Sequence, residues 1–403
     1  MNNSARLTSS PLRRIFCISL LARLAHDTSI RMMYPFLPEI ARGLGLPIDQ
    51  VSALVSLRNG VGIIGPAFGV MSDRIGHRRS MSIGLVCISI GLGLIGGLSA
   101  LLPAAIGFII AGLGSVIYIP ALQAYISERV PYEQRGRALG AIELTWAIAG
   151  MIGAPIAGGL IGSIGWRAPF IGLAIAAFGC ALLTLLLAET PQSLRSKVGR
   201  FKLSSLRQHR NAIAFLLVWT LVFWAFENIQ VGYGSWFETQ FKLSATQRGT
   251  AQTLFGVFEI AASASSSLFL DRIGKKRGVA GGLIVALIGY GLLMTIGPIN
   301  LTLALGSMGL AFLGFEFSVV SGISIMSEQI PRARATMLAL GATGSGLGRM
   351  IGDLSGGALI ANASFTTAAL ASAIMAALTL IIFVIGVQEK PFSNEMAASD
   401  VPS

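Results

Sequence analysis

Ten ionisable residues lie inside apolar runs of this 403-residue chain: Arg23, Asp27, Arg31, Arg58, Glu143, Glu227, Glu259, Glu316, Arg349 and Asp353. A charge in hydrocarbon costs about 2.5–3.5 kcal/mol on insertion scales, so each is a candidate for function. Arg23, Asp27 and Arg31 are spaced by four, as are Arg349 and Asp353, so each set shares one helix face and can pair along it. The bland alternative for both is a self-neutralising set that only makes insertion cheaper. Glu143, Glu227, Glu259 and Glu316 have no opposite charge within one helical turn. A carboxyl in such a place can take a proton when water leaves and release it when water returns. Glu316, between Phe315 and Phe317, is the first candidate for that proton chemistry, with Asp27 second and Glu143 third. His26, beside Asp27, could relay protons or simply pack. Arg31, Arg58, Glu227, Trp224, Glu259, Arg349 and Asp353 are candidates for a cavity that holds a small solute. Phe223, Phe226, Tyr233, Phe255 and Phe258 would supply its greasy wall or pack behind it.

Other chemistries leave no trace. Hydrolase motifs of the HExxH and GxSxG kinds and the Walker A loop do not occur, so neither an enzyme nor an ATP-driven machine is expected. Cys17, Cys87 and Cys180 stand singly, without disulfide or metal spacing, and no cofactor or metal is expected.

The elements that must hold these residues are membrane spans. The chain is 53% hydrophobic and only 12% charged, with 49 glycines, whereas soluble domains are about a quarter charged. Apolar runs near the ~20 residues that cross a bilayer occur at 15–37, 51–72, 80–101, 104–126, 138–162 and 168–188. Six more follow at 211–234, 248–270, 279–298, 301–326, 335–360 and 364–387. Numbered in order, they predict an all-helical membrane protein of twelve helices. It divides into an N-terminal six-helix bundle (1–188), a linker (189–210), a C-terminal six-helix bundle (211–388) and a tail (389–403). Odd and even loops differ in charge: 22 Lys and Arg fall on the side of both termini and only 4 on the other. Both termini are therefore expected in the cytoplasm. The first run has no small-residue cleavage site and reads as a helix, not a removed signal. The +12 net charge is dispersed between apolar runs, which argues against nucleic acid as partner.

The chain also repeats itself. "GVMSDRIGHRRSM" from Gly69 follows helix 2, and "SLFLDRIGKKRGV" from Ser267 follows helix 8. "SERVPYEQRGRALGA" from Ser127 is echoed by "SEQIPRARATMLALGA" from Ser327. Helix 5 carries Gly150, Ala154, Gly158 and Gly162 at four-residue spacing, and helix 11 carries Gly344, Gly348, Gly352 and Gly356. Small residues so spaced let helices approach closely, and the matched positions mark a duplicated six-helix unit.

On these motifs the chain resembles the major facilitator superfamily. Its loop signature is matched by Gly69, Asp73, Arg74, Gly76, Arg78 and Arg79, with His77 departing at one basic position. The second copy keeps Asp271, Arg272 and Gly274. The stretch Gly150–Gly159 is similar to the helix 5 signature of the proton-coupled drug antiporters, through Gly150, Pro155, Gly158 and Gly159, but Ala154 replaces a glycine. Helix 4 lacks the arginine usual in such exporters. Helices 3, 6, 9 and 12 carry none of the ten buried charges, and in that family they are the peripheral ones. The resemblance implies a monomeric, multi-pass transporter of the bacterial inner membrane, with a small solute, protons and the lipid bilayer as partners. It implies a gate in which Asp73 meets the start of helix 11 and nearby arginines pair with acids such as Glu128. The function expected is proton-coupled export of an amphipathic compound. The alternatives are a proton symporter for a small organic solute and a sensor or scaffold on the same fold.

Overall fold

The computed structural model describes residues 10–130, 132–189, 209–330 and 334–388. Most of the expected linker and the whole tail lie outside the described residues. All regular structure among the described residues is helical, as twelve rods. Helix 1 is Ser10–Arg31, and a short helix, Leu37–Leu44, follows it. Helix 2 is broken by a 3-10 turn into Ile48–Gly60, Val61–Ile64 and Gly65–Ile75. Helices 3 and 4 are His77–Gly97 and Leu101–Arg129. Helix 5 runs through Tyr132–Ile148, a π turn at Ala149–Gly153, and Ala154–Ser163, and helix 6 is Arg167–Leu185. Helix 7 is Arg210–Gln230, continued by Tyr233–Phe241, and helix 8 is Ala245–Ile273. Helices 9 to 12 are Lys275–Thr295, Leu301–Gln329, Arg334–Asn362 and Phe365–Gly386.

Nine rods among the described residues are long and apolar enough to cross a membrane by composition alone. Helices 1, 2 and 11 are not among them, and the reason is what they carry: Arg23, Asp27 and Arg31; Arg58 and an internal turn; Arg349 and Asp353. The chain is a multi-pass integral membrane protein whose most polar spans are those with charges to place.

The duplication is visible in the packing. Helices 3 and 9 both have 21 residues, and helices 4 and 10 both have 29. In the first half a Cβ on Gly84 would meet the Gly114 carbonyl at 2.8 Å, and in the second a Cβ on Gly282 would meet that of Gly314 at 2.9 Å. Glycine is what lets each helix pair approach so closely. The two loop motifs also turn alike. Gly76 has φ +97° and Gly274 φ +92°, a region costly for any residue with a Cβ. The repeated glycine therefore has a local backbone cause in both halves.

Helices 3, 6, 9 and 12 face outward. Ile90 on helix 3, Ile175 on helix 6, Ile288 on helix 9 and Ile385 on helix 12 are exposed, as lipid contact requires. Helices 2 and 11, and helices 5 and 8, form the seam between the halves.

Candidate functional site

The seam closes toward one end of the bundle, the end carrying Glu39. A Cβ on Gly158 of helix 5 would meet the Ala245 carbonyl of helix 8 at 2.7 Å, and one on Gly249 would meet the Ala154 carbonyl at 2.7 Å. Ser56 of helix 2 donates to the Met350 carbonyl of helix 11 at 3.0 Å. An ionic clamp ties the same end. Arg42 pairs with Glu238 at 2.8 Å, and the fully buried Arg248 pairs with Glu39. Burial pushes the Glu39 carboxyl above its ordinary value, and the Arg248 guanidinium pulls the other way. Toward the loop-motif end, Gln123, Glu143 and Leu144 on the N-terminal side, and Leu268 and Phe269 on the C-terminal side, are exposed.

Between these ends the charges inside the spans gather into three groups, each with one arginine and two carboxyls. In the first, Arg23 donates to both oxygens of Asp27 at 2.9 and 3.0 Å and to Glu143 Oε2 at 2.9 Å. Thr145 donates to Asp27 at 2.7 Å, and His26 Nδ1 lies 2.8 Å from it. In the second, Arg31 donates to Glu259 at 2.6 Å, and Glu316 is within Coulombic reach of both. Glu316 accepts a hydrogen bond from Ser263 at 3.1 Å. In the third, Arg349 donates to Glu227 at 2.6 Å, and Asp353 accepts from Asn59 of helix 2 at 2.7 Å. Trp146 of helix 5 joins the last two groups: its ring lies 5.1 Å from the Arg31 guanidinium and 5.6 Å from that of Arg349.

The pairing differs from what helical spacing suggests. Only Arg23 and Asp27 pair along their own helix; Arg31 reaches across the seam, and Arg349 turns to helix 7 instead of to Asp353. An arginine side chain is long enough to find a carboxylate on a neighbouring helix, so the i,i+4 rule does not decide the partner. Arg31, Arg58, Glu227, Glu259 and Asp353 are buried in this arrangement and line no open wall. Arg58 has no carboxylate partner among the described residues and donates to the Ser29 carbonyl and hydroxyl at 2.9 and 3.0 Å. Trp224 donates to Ser355 at 2.9 Å. Phe223, Phe226, Tyr233 and Phe255 are core residues, with Phe226 stacked on Phe315 at 3.9 Å, so packing is what they supply here.

At the loop motif Arg78 and Arg79 take another acid than Glu128, which Arg129 meets at 3.9 Å. Arg78 and Arg79 pair with Glu189 at 3.3 and 3.0 Å, while His77, the departure from the signature, holds Glu128 at 3.0 Å. The second half repeats this with Lys275 on Glu328. Arg74 is exposed. The surroundings of Gly69 and the side chains of Asp73 and of Arg334 and Ala335, where helix 11 starts, are not described, and so neither is the expected gate contact. On helix 5, Gly150 faces Arg31 and Gly158 faces helix 8, Pro155 opens the helix after the π turn, and Gly159 has nothing within 4 Å. Sequence reasoning missed Trp146, Thr145, Asn59 and Arg248. The first two lie in "ELTW", within a turn of Glu143, which was a usable signal.

The family model described as Major Facilitator Superfamily matches residues 19–239 and 216–399. NiaP of Bacillus subtilis, provisionally a niacin/nicotinamide transporter, is 33% identical over 143 residues, 34% of this chain and 36% of that protein. The multidrug efflux protein YfmO of the same organism is 27% identical over 271 residues, 66% of this chain and 65% of that protein. The chain thus matches between about a third and two thirds of the length of these relatives. In structure it is similar to the nucleoside transporter NupG, with TM-score 0.77 at 13% identity, covering 95% of this chain and 100% of the other.

Proposed function

The chain belongs to the Major Facilitator Superfamily, and on that premise we propose that it is a proton-coupled secondary transporter working by alternating access. The carrying observation is Glu316. It lies within Coulombic reach of Arg31, which belongs to the opposite half and is ion-paired with Glu259. When the halves rock, Arg31 and Glu316 part or meet, and the proton on Glu316 is released or held accordingly. Asp27 and Glu143 are the secondary proton sites of the proposal.

The charge bias of the loops supports a cytoplasmic loop-motif end, with the linker and both termini inside. The Glu39 end is then external, and the state described is open to the cytoplasm. Residues 1–188 and 211–388 are the two rocking bodies, and the protein acts as a monomer in a bacterial inner membrane. Asp73, at the cytoplasmic end of helix 2, would latch the start of helix 11 when that end shuts. Asp73→Asn should slow cycling more than Asp271→Asn does.

Export of an amphipathic solute is the direction we favour, on the similarity to a multidrug efflux protein and on the helix 5 motif. Arg58, a buried cation without a carboxylate among the described residues, favours the second possibility, symport of an anionic solute. Purified protein in proteoliposomes with an imposed pH gradient, tested over a panel of amphipathic cations and organic anions, decides between them. Accumulation of cations on the acidic side supports export by proton exchange. Anions moving with the proton support symport, and no pH-driven movement of any compound overturns the coupling. Reporter fusions after Gly199 and Ser163 should read cytoplasmic and external, respectively.

A further inference from the structure

Asp353 is fully buried on helix 11, and nothing in the proposal above uses it. Its Oδ2 accepts from the Asn59 amide of helix 2 at 2.7 Å, while its Oδ1 has no partner. Arg349 lies one turn away, but its Nη1 is committed to Glu227 Oε1 at 2.6 Å. The other group facing the site is Tyr34, whose hydroxyl is 3.4 Å from the same Asn59 nitrogen and within reach of Glu227. Two acids thus face one guanidinium, and it is committed to Glu227. Asp353 Oδ1 and Glu227 Oε2 are both left without a donor, but only Glu227 has a cation on its other oxygen. A buried acceptor without a donor is costly, and a buried unpaired charge more so. One proton removes the surplus charge and converts an acceptor into a donor. It belongs on Asp353, because Glu227 already has the cation and Asp353 has only a neutral amide.

The site lies where the halves are pressed together. A Cβ on Gly60 of helix 2 would run into Met350 at 2.6 Å, and one on Gly357 of helix 11 would strike Ser52. Asp353 is fully buried there, and opening that contact would admit water to it.

We propose that Asp353 is a proton-binding site built into the helix 2–helix 11 seam, protonated while the Glu39 end is sealed and deprotonated to water when that end opens. The proton leaves Oδ1 as hydronium, and the carboxylate that remains is solvated in the opened cleft. This deepens the proton-coupling proposal, but it concerns a different carboxyl from Glu316 and is read without transport.

The test is infrared spectroscopy of the full-length protein in lipid nanodiscs at neutral pH, with aspartate labelled by carbon-13 at the side-chain carboxyl. We expect the carbonyl band of a protonated aspartic acid in the wild type, unchanged in Glu316→Gln and absent in Asp353→Asn. Asp353→Glu, should the amide variant not fold, must also remove the labelled band. No protonated aspartate in the wild type, or a labelled band that survives removal of Asp353, overturns the proposal. Because the band is independent of any substrate, it stands or falls apart from pH-driven transport and from Glu316.

Discussion

The Arg23 and Arg31 groups have the same composition, one guanidinium and two carboxyls, but opposite placement. The Arg23 group lies wholly on helices 1 and 5 of the N-terminal half, and its second acid, Glu143, has a side chain 49% exposed. Water can stabilise that charge, and rocking of the halves leaves its partners in place. The Arg31 group joins helix 1 to helices 8 and 10, so its arginine and its acids ride on different bodies. Arg31 and Glu259 are 2% and 3% exposed at their side chains, too little for water to neutralise the pair. Under the proposed function the second group is the primary coupling site and the first a secondary one: only a group split across the seam has its arginine and its acids separated when the seam moves.

That contrast can be broken by substitution. Glu259→Gln removes the acid paired with Arg31 and leaves Glu316 and Glu227 within its Coulombic reach, which should hold Glu316 ionised and reduce pH-driven accumulation to background in proteoliposomes. Coupled transport at the wild-type level would remove Arg31 from the mechanism. Asp27→Asn should be milder. Arg23 keeps Glu143 at 2.9 Å, so the unpaired-charge penalty of about 3–5 kcal/mol is largely avoided. We expect a lower unfolding temperature and slowed, still coupled, transport; complete uncoupling would move the proton site into the N-terminal half. Gly158→Val should strain the seam by about 1–3 kcal/mol, enough to slow transport roughly tenfold, because Ala245 stands in the way. Gly159→Val, with open space around it, should transport as the wild type does, and equal defects would mean that helix 5 does not pack as described. Smallest in their effect on transport are Gly76→Ala and Gly274→Ala, each costing about 1–3 kcal/mol of stability for a Cβ in a backbone region that essentially only glycine takes, equally in the two halves. Thermal unfolding of both variants checks that equality.

Much of the fold was legible because hydrocarbon imposes its own period. Long apolar runs, charge-poor peripheral helices and the doubled loop motif each follow from a constraint that acts along the chain. The charges inside the spans were legible as residues and not in their pairing. Glu316 and Arg31 stand out as costly charges, but only tertiary packing brings Glu259 to Arg31 and turns Arg349 away from Asp353. Residues with no cost to advertise stayed hidden: Asn59 and Thr145 are ordinary polar residues until Asp353 and Asp27 are placed against them. Arg248 counts by its position as a loop charge, yet it is fully buried against Glu39.

The most direct test of the central claim is the pair of transport modes of Glu316→Gln in proteoliposomes, with any compound that the wild type accumulates under a pH gradient. The amide mimics the protonated acid, so exchange of labelled for unlabelled compound without a gradient should continue near the wild-type rate. Accumulation driven by the gradient should vanish. Wild-type accumulation by Glu316→Gln would contradict the account, since the proton would then be carried elsewhere.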